Sequence, residues 1–251
     1  MSPPLVALRG VSKRFDNGTE ALRNLSVEIT QGSFTSLLGP SGCGKSTALR
    51  LIAGLATPSA GSVEISDIRG LSFVFQEPAL MPWRTVSANV ALPLTLQGAP
   101  KAEAVSRVAA VLAQVGLNGF ARAYPRQLSG GMKMRVSIAR ALVTRPLLLL
   151  MDEPFAALDE ITRARLNDDL LRLHAAERLT ILFVTHSVYE SVFLSDRILV
   201  MAPRPGRIAA DIAIEAPALR DETFRTGESY NRQARIVSQA LRHAMGEADA
   251  R

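Results

Sequence analysis

The sequence holds a single cysteine, Cys43, among 251 residues. One thiol makes no intrachain disulfide and no zinc site, which fits a reducing interior. Long apolar runs are also missing: "PLLLLM" is stopped by Asp152, and crossing a bilayer takes about 18 apolar residues or more. A chain that spans a membrane is not expected. The start, "MSPPLVALRG", lacks a charged segment followed by an apolar core, so no signal peptide is expected. There is no internal repeat, no low-complexity segment and no long basic block. The net charge of +6 comes from scattered arginines and lysines. Such a pattern reads as a basic soluble surface in preference to a nucleic-acid or lipid patch. An apolar content of 47% with mixed charge indicates an ordered globular chain, either one large domain or one domain with a small lobe.

The pattern along the chain alternates strands with helices. "LVALRGVSKRF" and "LRNLSVEIT" read as β strands around a turn at Asn17-Gly18. "FTSLL" is a short buried strand followed by a loop and the helix "KSTALRLIAGL", which Gly54 and Pro58 close. "GSVEIS" and the buried "LSFVFQ", Leu71 to Gln76, are further strands. The stretch from Pro78 to Pro100, with four prolines and Trp83, reads as irregular. Val105, Val108, Ala109, Leu112 and Val115 recur at helical spacing up to Gly116. A second helix starts at Gly130 and stops at Pro146. "LLLLMDEP", a helix from about Thr162 to Ala176, and the strands "LTILFVT" and "DRILVMA" complete the pattern. Continuous apolar strands alternating with helices predict a parallel sheet covered on both faces. Residues 80–143 lack a strong strand and predict a helical lobe inserted into that sheet. The polar tail after Pro217 is expected to be helical.

The stretch "GPSGCGKST", Gly39 to Thr47, follows the strand "FTSLL" directly. Its spacing of Gly39, Gly44, Lys45 and Ser46 fits the phosphate-binding pattern G-x-x-x-x-G-K-[ST]. Glycines let backbone N–H groups wrap a phosphate, and the helix that follows adds its positive end. The lysine reaches terminal phosphates and the serine hydroxyl ligates magnesium. A flexible turn is the competing reading. For Cys43 the choice lies between a redox sensor and a small filler of a tight loop, the filler being preferred. About a hundred residues on, "LLLLMDEP" delivers Asp152 and Glu153 to the carboxyl end of a strand, where open α/β sheets bind ligands. There Asp152 can help hold magnesium and Glu153 can polarise an attacking water. "LSGGMKMRVSIARAL", Leu128 to Leu142, places Ser129, Gly130 and Gly131 at a helix start, a second anion site. Two phosphate sites in one chain make sense if the second acts on a nucleotide held by another copy.

With these motifs in this order, the sequence resembles the ATP-binding subunits of ABC transporters over nearly its whole length. The resemblance implies a P-loop NTPase core of α/β class, with an antiparallel β subdomain and an inserted α-helical subdomain roughly over 80–143. On this reading residues 1–217 form the ATPase domain and 218–251 a helical tail. Gly39, Pro40, Ser41, Gly42, Cys43, Gly44, Lys45, Ser46 and Thr47 match the nucleotide cradle. Phe15 stands where the family stacks an aromatic on adenine; the alternative is a strand residue packing in the core. Gln76 matches the Q-loop glutamine that senses magnesium and the attacking water, Asp159 the D-loop aspartate, and His186 the switch histidine near the γ-phosphate. Ser46, Gln76 and Asp152 are the implied magnesium residues, and Glu153, His186, Gln76 and Lys45 the implied catalytic set.

Two positions depart from the family pattern. Met132 stands where many relatives carry glutamine, with little effect expected, because Ser129 and Gly131 make the phosphate contacts there. The segment between Thr57 and Gln76 is shorter than usual, which implies a trimmed β-hairpin and a slightly altered adenine pocket. Within the family, "FQEPALMPWRTVSANVALPL" and "FVTHSVYESVFLSDRILVMAPRPGRI" look most like importers of nitrate, sulfonate or taurine. The resemblance implies two copies sandwiching two Mg2+-bound ATP molecules, docked on transmembrane permease subunits at the cytoplasmic face of the inner membrane, with a solute-binding protein acting indirectly. Trp83 either lines a groove that receives the permease or packs inside the helical lobe. No nucleic-acid partner is expected. A soluble ABC-type ATPase acting on DNA or ribosomes is the alternative; a P-loop kinase is argued against by the LSGG motif and the histidine.

Overall fold

The computed structural model describes residues 4–67, 70–217 and 220–249. Parts of three expectations lie outside the described residues: the first three positions of the chain start, positions 68–69 of the shortened segment, and 218–219 and 250–251 of the tail.

Two sheets organise the fold. Strands β1 (Val6–Arg14), β2 (Glu20–Ile29) and β4 (Ala60–Ile65) form an antiparallel sheet in the order β2-β1-β4. The larger sheet has the order β5-β6-β7-β3-β8-β9, where β3 is Phe34–Leu38, β5 Leu71–Val74, β6 Leu148–Asp152, β7 Thr180–Thr185, β8 Arg197–Ala202 and β9 Arg207–Ala213. All its pairs are parallel except β8–β9. Every residue of β3, β6 and β7 is buried, as continuous apolar runs require when both faces are covered. The two-residue period sorts their side chains. Leu149, Met151, Ile181 and Phe183 enter the core shared with the helical layer. Leu148, Leu150, Leu182 and Val184 enter a second core, with helix α1 (Lys45–Ile52) and the antiparallel sheet.

The helical layer contains α2 (Val86–Leu96), α3 (Lys101–Gln114), α4 (Gly130–Leu142), α5 (Glu160–Glu177) and α6 (Val188–Leu194). Among the described residues no strand lies between β5 and β6, so α2, α3 and α4 form the inserted helical subdomain. Two further helices, α7 (Glu222–Thr226) and α8 (Glu228–Asp249), follow the sheet. Tyr230, Ala234, Val237 and Ala244 bury one face of α8 in the main core.

Three expectations are corrected. Residues 78–100 are not irregular throughout, because α2 runs through Pro93. An interior proline costs a ladder bond and about 3 kcal/mol. The helix persists because Thr85 caps it by accepting from the Ala88 N–H, and because Val90 and Leu94 are fully buried. Buried Asn89 also donates to the carbonyls of Met81, Arg84 and Thr85 at 3.0–3.1 Å. The strand expected over Leu71–Gln76 ends at Val74 and lies at the sheet edge, so only Val74 is fully buried. The sequence reading also missed α6 and β9; β9 pairs antiparallel with β8 at the opposite edge.

Candidate functional site

The strand order places the ends of β6, β7 and β3 side by side. Register pairs Leu38 with Thr185 and Asp152 with Val184. The residues just beyond these ends, the loop from Gly39, the pair Asp152-Glu153 and His186, therefore meet at one edge of the sheet.

The loop from Gly39 to Thr47 is set by local sterics. Gly44 has φ +97°, and a Cβ there would lie 2.7 Å from Leu22 Cδ2 and 2.8 Å from the Ala21 carbonyl oxygen. A Cβ on Gly39 would meet Cys43 Sγ at 2.7 Å and the Met201 carbonyl at 2.9 Å. Both positions need glycine for close approach. Cys43 is fully buried, and burial pushes its thiol pKa up. A thiol held neutral and out of solvent is a packing residue and a poor redox sensor. Lys45 opens α1 and is 4% exposed. Its Nζ donates to the carbonyls of Gly39 at 2.8 Å and Pro40 at 3.0 Å, and lies 3.4 Å from Glu153 Oε1. A buried ammonium needs such partners.

Ser46 Oγ donates to Asp152 Oδ1 at 2.8 Å. Burial pushes the Asp152 carboxyl above the usual carboxylate range, while the Ser46 hydroxyl and the charges of Arg50 and Lys45 draw it back. A cation at this edge would relieve that desolvation directly. Glu153 has φ +45°, unusual for a residue with a side chain, and its N–H donates to the Val184 carbonyl at 3.1 Å. Its Oε2 lies 3.2 Å from His186 Nδ1. The carboxylate is thus held between Lys45 on one side and His186 on the other.

Above the loop is a cleft of about 690 Å³ lined by Phe15, by loop residues between Ser41 and Thr47, and by Gln76 and Glu153. Phe15 is 43% exposed. Packing in the core is therefore overturned for it; the ring faces the cleft rim, with Lys13 Nζ 5.4 Å from its centroid. Gln76 is exposed two residues past the end of β5. Two charged residues of the cleft escaped the sequence reading, Glu20 and Arg204. Arg204 has φ +53° and belongs to the β8–β9 turn. That turn is pressed on the loop: a Cβ on Gly206 would lie 2.2 Å from the Cys43 carbonyl oxygen. The triplet Arg204-Pro205-Gly206 was the available signal, as a turn whose glycine permits that approach.

The second anion motif lies apart from the cleft lining in the same chain. Ser129 caps α4 by accepting from the Met132 N–H at 3.3 Å, and Ser129 and Gly130 are exposed. Gly131 is buried, and a Cβ there would meet Thr162 Cγ2 at 2.6 Å. Its lack of a side chain is required for α4 to approach α5, whatever its N–H contacts. Asp159 caps α5 by accepting from the Thr162 N–H at 2.9 Å, and that bond holds its carboxyl below the usual range.

The ABC transporter family profile matches residues 22–156, which include the loop, Gln76, the LSGG motif and the acidic pair. The chain belongs to the ABC transporter family. As an ABC cassette it is an ATPase. An uncharacterised ABC transporter ATP-binding protein of Methanocaldococcus jannaschii is 48% identical over 213 residues, 82% of this chain and 80% of that protein. An aliphatic sulfonates import ATP-binding protein of Xanthomonas axonopodis is 44% identical over 253 residues, 98% of this chain and 99% of that protein. Among solved structures, cbiO1 of Clostridium perfringens, part of an ABC transporter complex, superposes with TM-score 0.77 at 27% identity, over 84% of this chain and 88% of that one. A dimeric cassette in a post-hydrolysis state bound to ADP and Pi gives 0.74 at 32% identity, over 84% of this chain and all of that one. The ABC fold thus accounts for the cleft, with a P-loop, an acidic pair and a histidine at adjacent strand ends.

Proposed function

We propose that the chain powers an ABC importer for a small nutrient solute, with nitrate, a sulfonate, taurine or a similar organic compound as cargo. It works as a peripheral subunit on the cytoplasmic face of the cell membrane. The observation that carries the catalytic part is Glu153, held 3.4 Å from Lys45 Nζ and 3.2 Å from His186 Nδ1. In this reading Lys45 leaves the Gly39 and Pro40 carbonyls for the β/γ-phosphates, and Phe15 stacks on adenine. Glu153 takes a proton from water as the new bond to the γ-phosphorus forms and the bridging bond to the β-phosphate oxygen breaks. His186 and Gln76 orient the groups around that water. Ser46, Gln76 and Asp152 are the residues that would hold magnesium, which supplies charge neutralisation on the phosphates. Oxygen donors suit this ion, which needs few protein ligands when phosphates and waters complete its shell.

The separation of Ser129 and Gly130 from the cleft favours a head-to-tail homodimer, each LSGG motif closing the other copy's nucleotide site, with Asp159 at the shared boundary. Dimeric solved relatives support the pairing. The importer assignment draws on the sulfonate-import relatives, 44–46% identical over most of the chain. Trp83, 73% exposed on the segment after Gln76, suits docking on a permease better than packing inside the lobe. A solute-binding protein would deliver cargo to that permease. The test is reconstitution of the chain with its permease in proteoliposomes. ATP-driven uptake of a sulfonate or related anion supports the reading, and ATPase activity without uptake of any such solute contradicts it.

A further inference from the structure

The residue that calls for explanation beyond the cleft is Glu190. It is a carboxylate on α6 with 8% exposure, and core packing alone does not call for a charged side chain there. Its Oε2 accepts from Thr185 Oγ1 at 2.5 Å, and the same hydroxyl accepts from the Ser187 N–H at 3.0 Å. These bonds tie down the residues on both sides of His186. The Glu190 N–H in turn donates to Ser187 Oγ at 3.2 Å. Burial pushes the Glu190 carboxyl up, while the Thr185 hydroxyl bond, the charges of Arg163 and His186 and the Asn167 side chain draw it back. Arg163 Nη2 also donates to the Leu158 carbonyl at 2.8 Å, one residue before Asp159. Glu190 Oε1, Asn167 Oδ1 and Arg163 Nε are all buried without a hydrogen-bond partner among the described residues. A buried polar group left short of partners costs free energy that an apolar side chain would avoid. That cost is accounted for if Glu190 fixes the histidine turn through Thr185.

We propose that Glu190 is a positioning residue for ATP hydrolysis. Through Thr185 it fixes the turn that aims His186 at Glu153. His186 is itself half-exposed and makes one hydrogen bond to a side chain, at 3.2 Å to Glu153, so its direction is set by the backbone on either side. The inference rests on the proposed role of His186.

The test is steady-state ATPase kinetics of the purified chain, with melting temperatures, for His186→Ala, Glu190→Met, Glu190→Gln, Thr185→Val and Thr185→Ser. Glu190→Met and Thr185→Val, which remove the acceptor and the donor, should lower kcat roughly 10- to 100-fold, the scale of a misplaced catalytic group, with KM little changed. Glu190→Gln and Thr185→Ser keep the bond and should recover most of the rate. Glu190→Met added to His186→Ala should cost nothing further. Wild-type kcat in both Glu190→Met and Thr185→Val, beside a slow His186→Ala, overturns the positioning role alone. So does an equal loss from Glu190→Met with and without His186. A wild-type rate for His186→Ala overturns the role of the histidine and this inference with it. Thr185→Val, close to isosteric, keeps the test open if Glu190→Met does not fold.

Discussion

At the scale of single residues, the cleft is built from groups that hold one another. Lys45 is held by two loop carbonyls and Glu153, Ser46 by Asp152, and Glu153 by Lys45 and His186. Lys45→Ala removes the charge proposed to position the β/γ-phosphates, and ATP hydrolysis by the purified variant should fall to background. Wild-type turnover would remove the cradle assignment. Glu153→Gln should keep ATP binding while slowing turnover roughly 10²–10⁴-fold, the contribution of a general base; equilibrium binding of a fluorescent ATP analogue beside phosphate release separates the two effects. Arg204 enters the same cleft without a role in the water-attack step. Arg204→Ala should therefore raise the nucleotide Kd roughly tenfold or more and leave kcat near wild type, as expected for loss of one charge-assisted contact of about 1.5 kcal/mol or more. A fall in kcat at unchanged Kd would give Arg204 a different part.

At the scale of elements, legibility in the sequence followed locality. The cradle, Asp152-Glu153 and His186 each lie in one strand and the few residues after it, so the pattern of an apolar run ending in polar residues exposed them. α2 was hidden by Pro93, because its stability comes from the Thr85 cap and the buried Asn89, Val90 and Leu94, none of which propensity weighs. α6 has seven residues, too few for a helical period to show, and β9 is an edge strand whose inward positions include the small Ala210. Arg140 illustrates the rest: it lies on α4 and donates to the carbonyls of Pro78 and Ala79, sixty residues away, at 2.8 Å. Only the folded chain brings them together. By this contact α4 grips the segment between Gln76 and Trp83. Trp83→Ala should leave ATPase activity of the isolated chain largely intact while weakening co-purification with the permease by about 2 kcal/mol, the weight of an aromatic anchor. Unchanged co-purification would take Trp83 out of the interface.

The helix α8 permits a pH test. Tyr230, 6% exposed, donates its hydroxyl to the Tyr189 carbonyl at 2.8 Å, and burial pushes its pKa up to about 12. The ordinary tyrosine value is about 10, so folding favours the protonated phenol. Its contribution is fully present below about pH 10 and is lost as pH rises toward 12. Tyr230→Phe should cost about 1 kcal/mol at neutral pH and should flatten the alkaline loss of stability. Denaturant melts at neutral and alkaline pH read both effects; an unchanged alkaline slope in the variant would contradict the assignment.

At the scale of the whole molecule, the two proposed halves of a nucleotide site lie apart in one chain: the P-loop cleft in one place, Ser129 and Gly130 exposed in another. Each half is proposed to be completed by a second copy. Lys45→Ala spoils the cradle and Ser129→Arg spoils the cap, so either variant alone should be inactive. In a mixed dimer one site combines both faults, and the other combines the intact cradle of one chain with the intact cap of its partner. The deciding measurement is the ATPase rate of an equimolar mixture of the two variants. The account predicts a rate well above the sum of the two alone, and a mixture no faster than that sum would contradict it.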